Sequence, residues 1–149
     1  MTDGAPETLL HGSSVAIAEQ GLLVLGGSGS GKSGLCLRLI ALGAELISDD
    51  RVRVIRGDDG IWLSRPAGLP PLVEARGIGL LKSHPVGPVR ASWVVDMDRV
   101  ETERLPRYRT KCILGHEVPL LRRVDAPHFE ASLIQILKAG RQHPEGTPE

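Results

Sequence analysis

The sequence predicts an α/β fold: one domain with a mixed, largely antiparallel sheet and few helices. Three observations predict it. A short apolar run, Leu22 to Leu25, ends at a Gly/Ser-rich loop. Behind the loop, Leu35, Leu39 and Leu42, joined by Cys36 and Ile40, recur at helical spacing. Most other apolar runs are short and bounded by Gly, Pro and Asp, which is strand and turn composition.

The elements follow in order. Ser14 to Ala18 and Leu22 to Leu25, separated by Glu19-Gln20-Gly21, read as a hairpin that leads into a buried strand. A helix runs from Lys32, and Gly43 stands where a C-terminal cap belongs. Ala44 to Ser48 is a strand ending in Asp49-Asp50. Val52 to Arg56 and Ile61 to Ser64 flank the turn formers Gly57-Asp58-Asp59-Gly60 as a second hairpin. Pro66 to Pro71 is a connection, Ala91 to Val95 a further strand, and Phe129 to Lys138 the last helix.

At 149 residues and 41% hydrophobic content the chain can fill a single core. Residues 1–7 and 140–149 are small, polar or Pro/Gly-containing and read as disordered ends around a domain spanning 8–139.

Composition also excludes. Lys plus Arg and Asp plus Glu are 18 each, so no overall field draws the chain to nucleic acid or an anionic membrane. Aromatic residues at 3% leave few stacking platforms for single-stranded nucleic acid. The apolar stretches are shorter than the roughly 20 residues that cross a bilayer. Cys36 and Cys112 lie far apart without metal-ligand spacing, and no apolar leader opens the chain. These features suit a cytoplasmic protein.

The segment Gly26-Gly27-Ser28-Gly29-Ser30-Gly31-Lys32-Ser33 satisfies the G-x-x-x-x-G-K-[ST] pattern of a P-loop. Glycines there let successive backbone N–H groups point at phosphate oxygens. Lys32 would reach the β and γ phosphates of ATP, and Ser33 would hold Mg²⁺ through its hydroxyl. The same composition describes flexible linkers. The strand before it and the amphipathic helix after it supply the setting that the phosphate-binding reading requires.

Phosphoryl transfer also needs a proton acceptor and carboxylates for metal. Asp50 lies 18 residues beyond Lys32, after one helix and one strand. If that strand runs parallel beside the loop strand, its carboxyl end opens on the same crevice. From spacing alone Asp49 and Asp50 fit equally as solvated turn residues.

Taken together, several segments resemble the successive motifs of the HPr kinase/phosphorylase family. They are His11-Gly12, the P-loop, Leu46-Ile47-Ser48-Asp49-Asp50, Glu74-Ala75-Arg76-Gly77-Ile78-Gly79-Leu80-Leu81, Glu103-Arg104-Leu105 and Ile113-Leu114-Gly115-His116-Glu117-Val118-Pro119. P-loops are widespread, whereas E-x-R-G-x-G is particular to this family. The resemblance runs from about His11 to Pro119 and implies a short form limited to the catalytic domain, with a phosphoenolpyruvate-carboxykinase-like nucleotide-binding fold.

The resemblance implies an ATP- and Mg²⁺-dependent protein serine kinase acting on HPr, the phosphocarrier of the sugar phosphotransferase system. It implies that Asp50 takes the proton of the acceptor serine and that Glu74 contributes to the Mg²⁺ site. His11 and Arg104 match positions counted among the family's active residues, and a hexamer is the family's assembly. Physically, Arg76 or Arg104 could neutralise the transferred group, and Asp49 could assist with metal or tune Asp50. A histidine near a terminus and an arginine beside glycine are more often structural or surface residues.

The sequence departs from the family at Asp125-Ala126-Pro127-His128-Phe129-Glu130, where members that also remove phosphate carry a P-G-R-N-like loop. Losing that arginine removes a bidentate phosphate binder, which implies weak or absent phosphorylase activity. The same change fits a differently shaped HPr-type partner. Two other functions share the P-loop: a small-metabolite kinase, for which little chain is left to build a lid and pocket, and a non-catalytic ATP sensor, which would not require Asp50 and Glu74.

Overall fold

Two long strands, one near each end of the sheet's folding path, tie the architecture together. The computed structural model describes residues 4–144, so expectations for residues 1–3 and 145–149 lie outside the described residues. Its elements are β1 (Glu7–Ile17), β2 (Gln20–Leu25), α1 (Lys32–Ala41), β3 (Glu45–Ser48), β4 (Arg51–Gly57), β5 (Gly60–Ser64), β6 (Leu72–Ala75), β7 (Gly79–Lys82), β8 (Val89–Val100), β9 (Thr110–Ile113), β10 (His116–Arg123) and α2 (Phe129–Ala139). It is a mixed sheet with few helices, as the sequence predicts.

β1 pairs through residues 7–11 with β4 and through residues 12–17 with β2 and β3. β8 pairs at its start with β5 and further along with β2 and β10. The circuit β2–β1–β4–β5–β8 therefore closes back on β2. Closure leaves fewer edges and wraps a core of Leu23, Ile47, Val52, Val54, Ile61, Leu63 and Val94. The alternate residues Val15, Leu22, Val24, Val95 and Met97 face the other way, onto Leu35, Leu39, Phe129, Leu133 and Leu137 of the helices. That two-residue alternation is how one sheet serves two cores.

Four details differ from the sequence reading. β1 begins at Glu7, so residue 7 is already paired, with Ile55, and Pro6 accepts from the Arg56 N–H at 2.8 Å. The first hairpin turns at Ala18-Glu19, and Gln20 already pairs with Ile17. β8 runs on to Val100 through polar residues. Most important for the site, β3 does not lie beside β2. It pairs antiparallel with β1, which separates it from β2, and the parallel neighbour of β2 is β8, with Leu25 opposite Asp96.

The Glu74 to Leu81 segment forms the β6–β7 hairpin, separate from the main sheet. Ile113 to Pro119 forms the β9–β10 turn, with Leu114 and Gly115 both at positive φ. Among the described residues no helix is long and apolar enough to cross a membrane.

Candidate phosphate-binding site

The candidate site grows from the end of β2. The backbone leaves the strand at Gly26, whose φ is +155°; a Cβ there would stand 2.5 Å from Ser30 Oγ and 3.0 Å from Met97 Cβ. Only glycine lets the loop turn this close to β8. Gly31, at φ +93°, is the N-cap of α1, and the helix has no side-chain cap and no acid in its first turn. Its leading N–H groups and positive dipole end are thus left for an anion.

Lys32 is buried, and its Nζ donates to the carbonyls of Gly26 and Gly27, each at 2.8 Å. The ammonium is therefore folded back over the loop that an anion would occupy. Ser28, Gly29 and Ser30 form the outer bend, closed by the Ser30 N–H on the Gly27 carbonyl at 3.1 Å.

Asp49 follows β3 and is buried, at 8% exposure. Its Oδ1 accepts from Ser13 Oγ at 2.5 Å and from Ser33 Oγ at 2.8 Å; its Oδ2 accepts from the Glu74 N–H at 3.0 Å. Three donors from β1, α1 and β6 thus hold one carboxylate beside the loop. Ser33 hydroxyl and Asp49 carboxylate are a hard, all-oxygen donor pair. Mg²⁺ is commonly bound by one or two carboxylates together with phosphate and water, so this pair fits that ion. Burial, with the nearby Asp49 charge adding to it, pushes the Cys36 thiol far up.

Asp50 behaves differently from its neighbour. Its φ is +71°, its side chain is 67% exposed, and His11 Nδ1 stands 3.6 Å from its Oδ1. The Gly12 N–H donates to the Asp50 carbonyl at 3.1 Å, and the Asp50 N–H lies 3.5 Å from Ser13 Oγ. A left-handed aspartate here turns successive carboxylates apart, one inward and one to solvent.

The structure thus joins Ser33 to Asp49 directly, with Lys32 turned to the loop carbonyls; Ser13 links the Asp49 carboxylate to the Asp50 N–H, and His11 faces the Asp50 carboxylate. Glu74 enters through its backbone; its carboxylate is exposed and makes no hydrogen bond or ion pair among the described residues. Arg76 and Arg104 are likewise exposed and unpaired among the described residues, on the β6–β7 turn and the loop after β8.

Two residues escaped the sequence reading. Ser13 is a fully buried polar residue inside β1, and its signal was a pair of serines interrupting an apolar run. Asp98 accepts from the Gly27 N–H with both oxygens, at 3.0 and 3.1 Å. Its signal was the alternation Val94-Val95-Asp96-Met97-Asp98 at a strand end.

Solved structures include the HPr(Ser) kinase/phosphatase from Coxiella burnetii, which matches with a TM-score of 0.72 at 24% identity over 88% of each chain, and so shares the fold. The HPr kinase/phosphorylase of Caldanaerobacter subterraneus subsp. tengcongensis is 38% identical over 97 residues, 62% of this chain and 32% of that protein. That of Clostridium botulinum strain Eklund 17B is 43% identical over 77 residues, 52% of this chain and 25% of that protein. The chain spans about a third or less of the length of these relatives. The family model described as HPr Serine kinase C-terminal domain matches residues 3–91. That span is more than half of the chain and holds the loop, the Asp49-Asp50 pair and the β6–β7 hairpin, so the chain belongs to the HPr serine kinase C-terminal domain family.

Proposed function

We propose that this chain transfers the γ-phosphoryl group of ATP to a serine of an HPr-type phosphocarrier protein. The observation that carries the reading is the hydrogen bond between Ser33 and Asp49, which sets a hydroxyl and a carboxylate side by side at the mouth of a glycine loop. P-loop phosphotransferases hold Mg²⁺ with such a pair.

In this reading the N–H groups at the start of α1 receive the phosphates. Lys32 leaves the Gly26 and Gly27 carbonyls to neutralise the β and γ oxygens. Ser33 and Asp49 hold Mg²⁺, which supplies charge neutralisation across the phosphates when bound. The acceptor serine oxygen bonds to the γ phosphorus as the bridging P–O bond to ADP breaks, and Asp50 takes the serine proton. His11, 3.6 Å away, orients that carboxylate. Arg76 and Arg104 on exposed turns, and Glu74 on the exposed side of β6, can meet a protein substrate.

The missing arginine between Asp125 and Glu130 fits a kinase with little or no phosphorylase activity. A cytoplasmic place in phosphotransferase-system regulation and a hexameric assembly belong to the same reading and rest on the family alone.

The test is to mix the protein with Mg-ATP and the phosphocarrier of its own source and look for phosphoserine by mass spectrometry. One phosphate on serine supports the proposal. Mg-ATP binding without any modification would remove the protein substrate and leave a metabolite kinase or a sensor.

A further inference from the structure

Asp98 comes from the strand that the register makes the floor of the loop. β8 runs parallel to β2 with Leu25 opposite Asp96, so two residues further Asp98 stands level with Gly27. Both of its carboxylate oxygens then meet the Gly27 N–H. From this geometry we infer that Asp98 is a positioning residue for nucleotide binding, which holds the Gly26–Gly27 entrance of the phosphate loop in place while Lys32 engages the phosphates. The inference rests on the nucleotide reading above.

Side chains grip the Gly26–Gly27 segment from two sides: Lys32 from its carbonyls and Asp98 from its N–H. Lys32 has three N–H donors and spends two on the carbonyls, so reaching both the β and γ oxygens requires it to release at least one carbonyl. When it turns to the phosphates, Asp98 remains. The need is real, because Gly26, Gly29 and Gly31 all lie at positive φ and glycine gains most freedom when a restraint is lost.

Asp98 is itself held. Arg123 Nη1 donates to the Met97 carbonyl at 2.9 Å, and the Asp98 N–H donates to Asp96 Oδ1 at 2.9 Å. Asp96 in turn stands 3.8 Å from Arg99. The strand end is fixed before any ligand arrives, so a hydrogen bond from it transmits that fixity to the loop.

What the loop requires from position 98 is an acceptor for one N–H, not a charge. Asparagine supplies that acceptor and alanine does not, which separates positioning from electrostatics. The experiment titrates the wild type, Asp98→Ala and Asp98→Asn with Mg-ATP by calorimetry and measures the melting temperature of each without ligand. Loss of that one hydrogen bond should weaken Mg-ATP binding by Asp98→Ala roughly tenfold, while Asp98→Asn stays within about threefold of wild type. The unliganded melting temperatures should agree.

Equal affinity of Asp98→Ala and wild type overturns the inference while the nucleotide reading stands. So does an Asp98→Asn as weak as Asp98→Ala, or an affinity loss matched by a loss of unliganded stability. A wild type that does not bind Mg-ATP overturns the nucleotide reading and this inference with it. Should Asp98→Ala not fold, amide hydrogen exchange decides: Gly27 N–H should be protected in the free wild-type protein and stay protected with Mg-ATP, and rapid exchange in either state overturns the inference.

Discussion

Ser33 and Asp49, sixteen positions apart, are joined by a 2.8 Å hydrogen bond from hydroxyl to carboxylate. The donor belongs to the first turn of α1 and the acceptor to the end of β3, so the bond exists only once β1 has placed β3 beside the helix. The adjacent Asp50 shares none of this enclosure, and the two aspartates should fail in different ways when altered.

Asp49→Asn leaves one oxygen for the donors of Ser13, Ser33 and the Glu74 N–H, and turns an NH₂ group toward them. The expected cost is about 1–3 kcal/mol of stability, with a higher Mg²⁺ requirement. Asp50→Asn, on an exposed side chain, should leave the melting temperature and Mg-ATP affinity unchanged and cut transfer to serine by about 10²- to 10⁴-fold. Thermal unfolding, calorimetry and the mass-spectrometric assay separate the two patterns.

Lys32→Met keeps much of the side chain's length and removes the ammonium. Transfer should fall by about 10²- to 10³-fold, as when one transition-state donor is lost, with the circular dichroism spectrum unchanged.

Cys112 is exposed and Cys36 is fully buried. A thiol reagent at pH 8 should modify one equivalent quickly and the second only in denaturant. Burial raises the Cys36 pKa, so the folded state holds this proton more tightly than the unfolded one. Its contribution to stability is whole below the unfolded thiol pKa of about 8.5 and declines above it, by at most about 1.4 kcal/mol per pH unit. Urea unfolding between pH 8 and 10 should therefore lose stability more steeply for wild type than for Cys36→Ala.

Arg38 on α1 and Glu130 on α2 meet at 2.6 Å. Burial pushes the Glu130 carboxyl up, but its own backbone N–H and Arg38 outweigh this and hold it below the usual value. A depressed pKa means stability that is present above the unfolded carboxyl pKa and lost as pH falls through the folded one. Because the pair is partly exposed, Glu130→Gln should cost under about 1 kcal/mol at pH 7, with the difference fading below about pH 4. Denaturant midpoints across that range check it.

Ala18 and Glu19 both adopt left-handed backbone, at φ +50° and +64°, in a two-residue turn. That is the geometry Asn-Gly prefers. The double change Ala18→Asn, Glu19→Gly should raise stability by roughly 0.5–1 kcal/mol, read as a higher melting temperature.

How far these features could be read in advance follows from their range along the chain. Both helices were legible nearly to the residue, because Leu35, Leu39 and Leu133, Leu137 recur at the period that buries one face and Gly43 marks an end. The turn at Asp58-Asp59 was legible from its flanking glycines. The succession of glycine loop, Lys32 and Ser33 is local and was equally plain. β1 was read short because Glu7, Thr8 and His11 look like a polar lead-in, and they become strand only by pairing with β4. Strand partners are set by distant segments, so the parallel neighbour of β2 is β8 and not β3, the next strand in the chain. Asp98 was hidden for the same reason: nothing within ten residues of it says that Gly27 lies opposite. Ser13 needed the position of Asp49 before its burial made sense.

The closure of β2 on β8 also has a consequence for how the protein is born. Gly27 and Asp98 are separated by 71 positions, so a ribosome working at about 5–20 residues per second releases the loop roughly 4–14 seconds before the residue that anchors it. During that interval the nascent chain carries a glycine loop without its floor. A pause between the codons for Gly27 and Asp98 would lengthen that interval without altering the finished molecule.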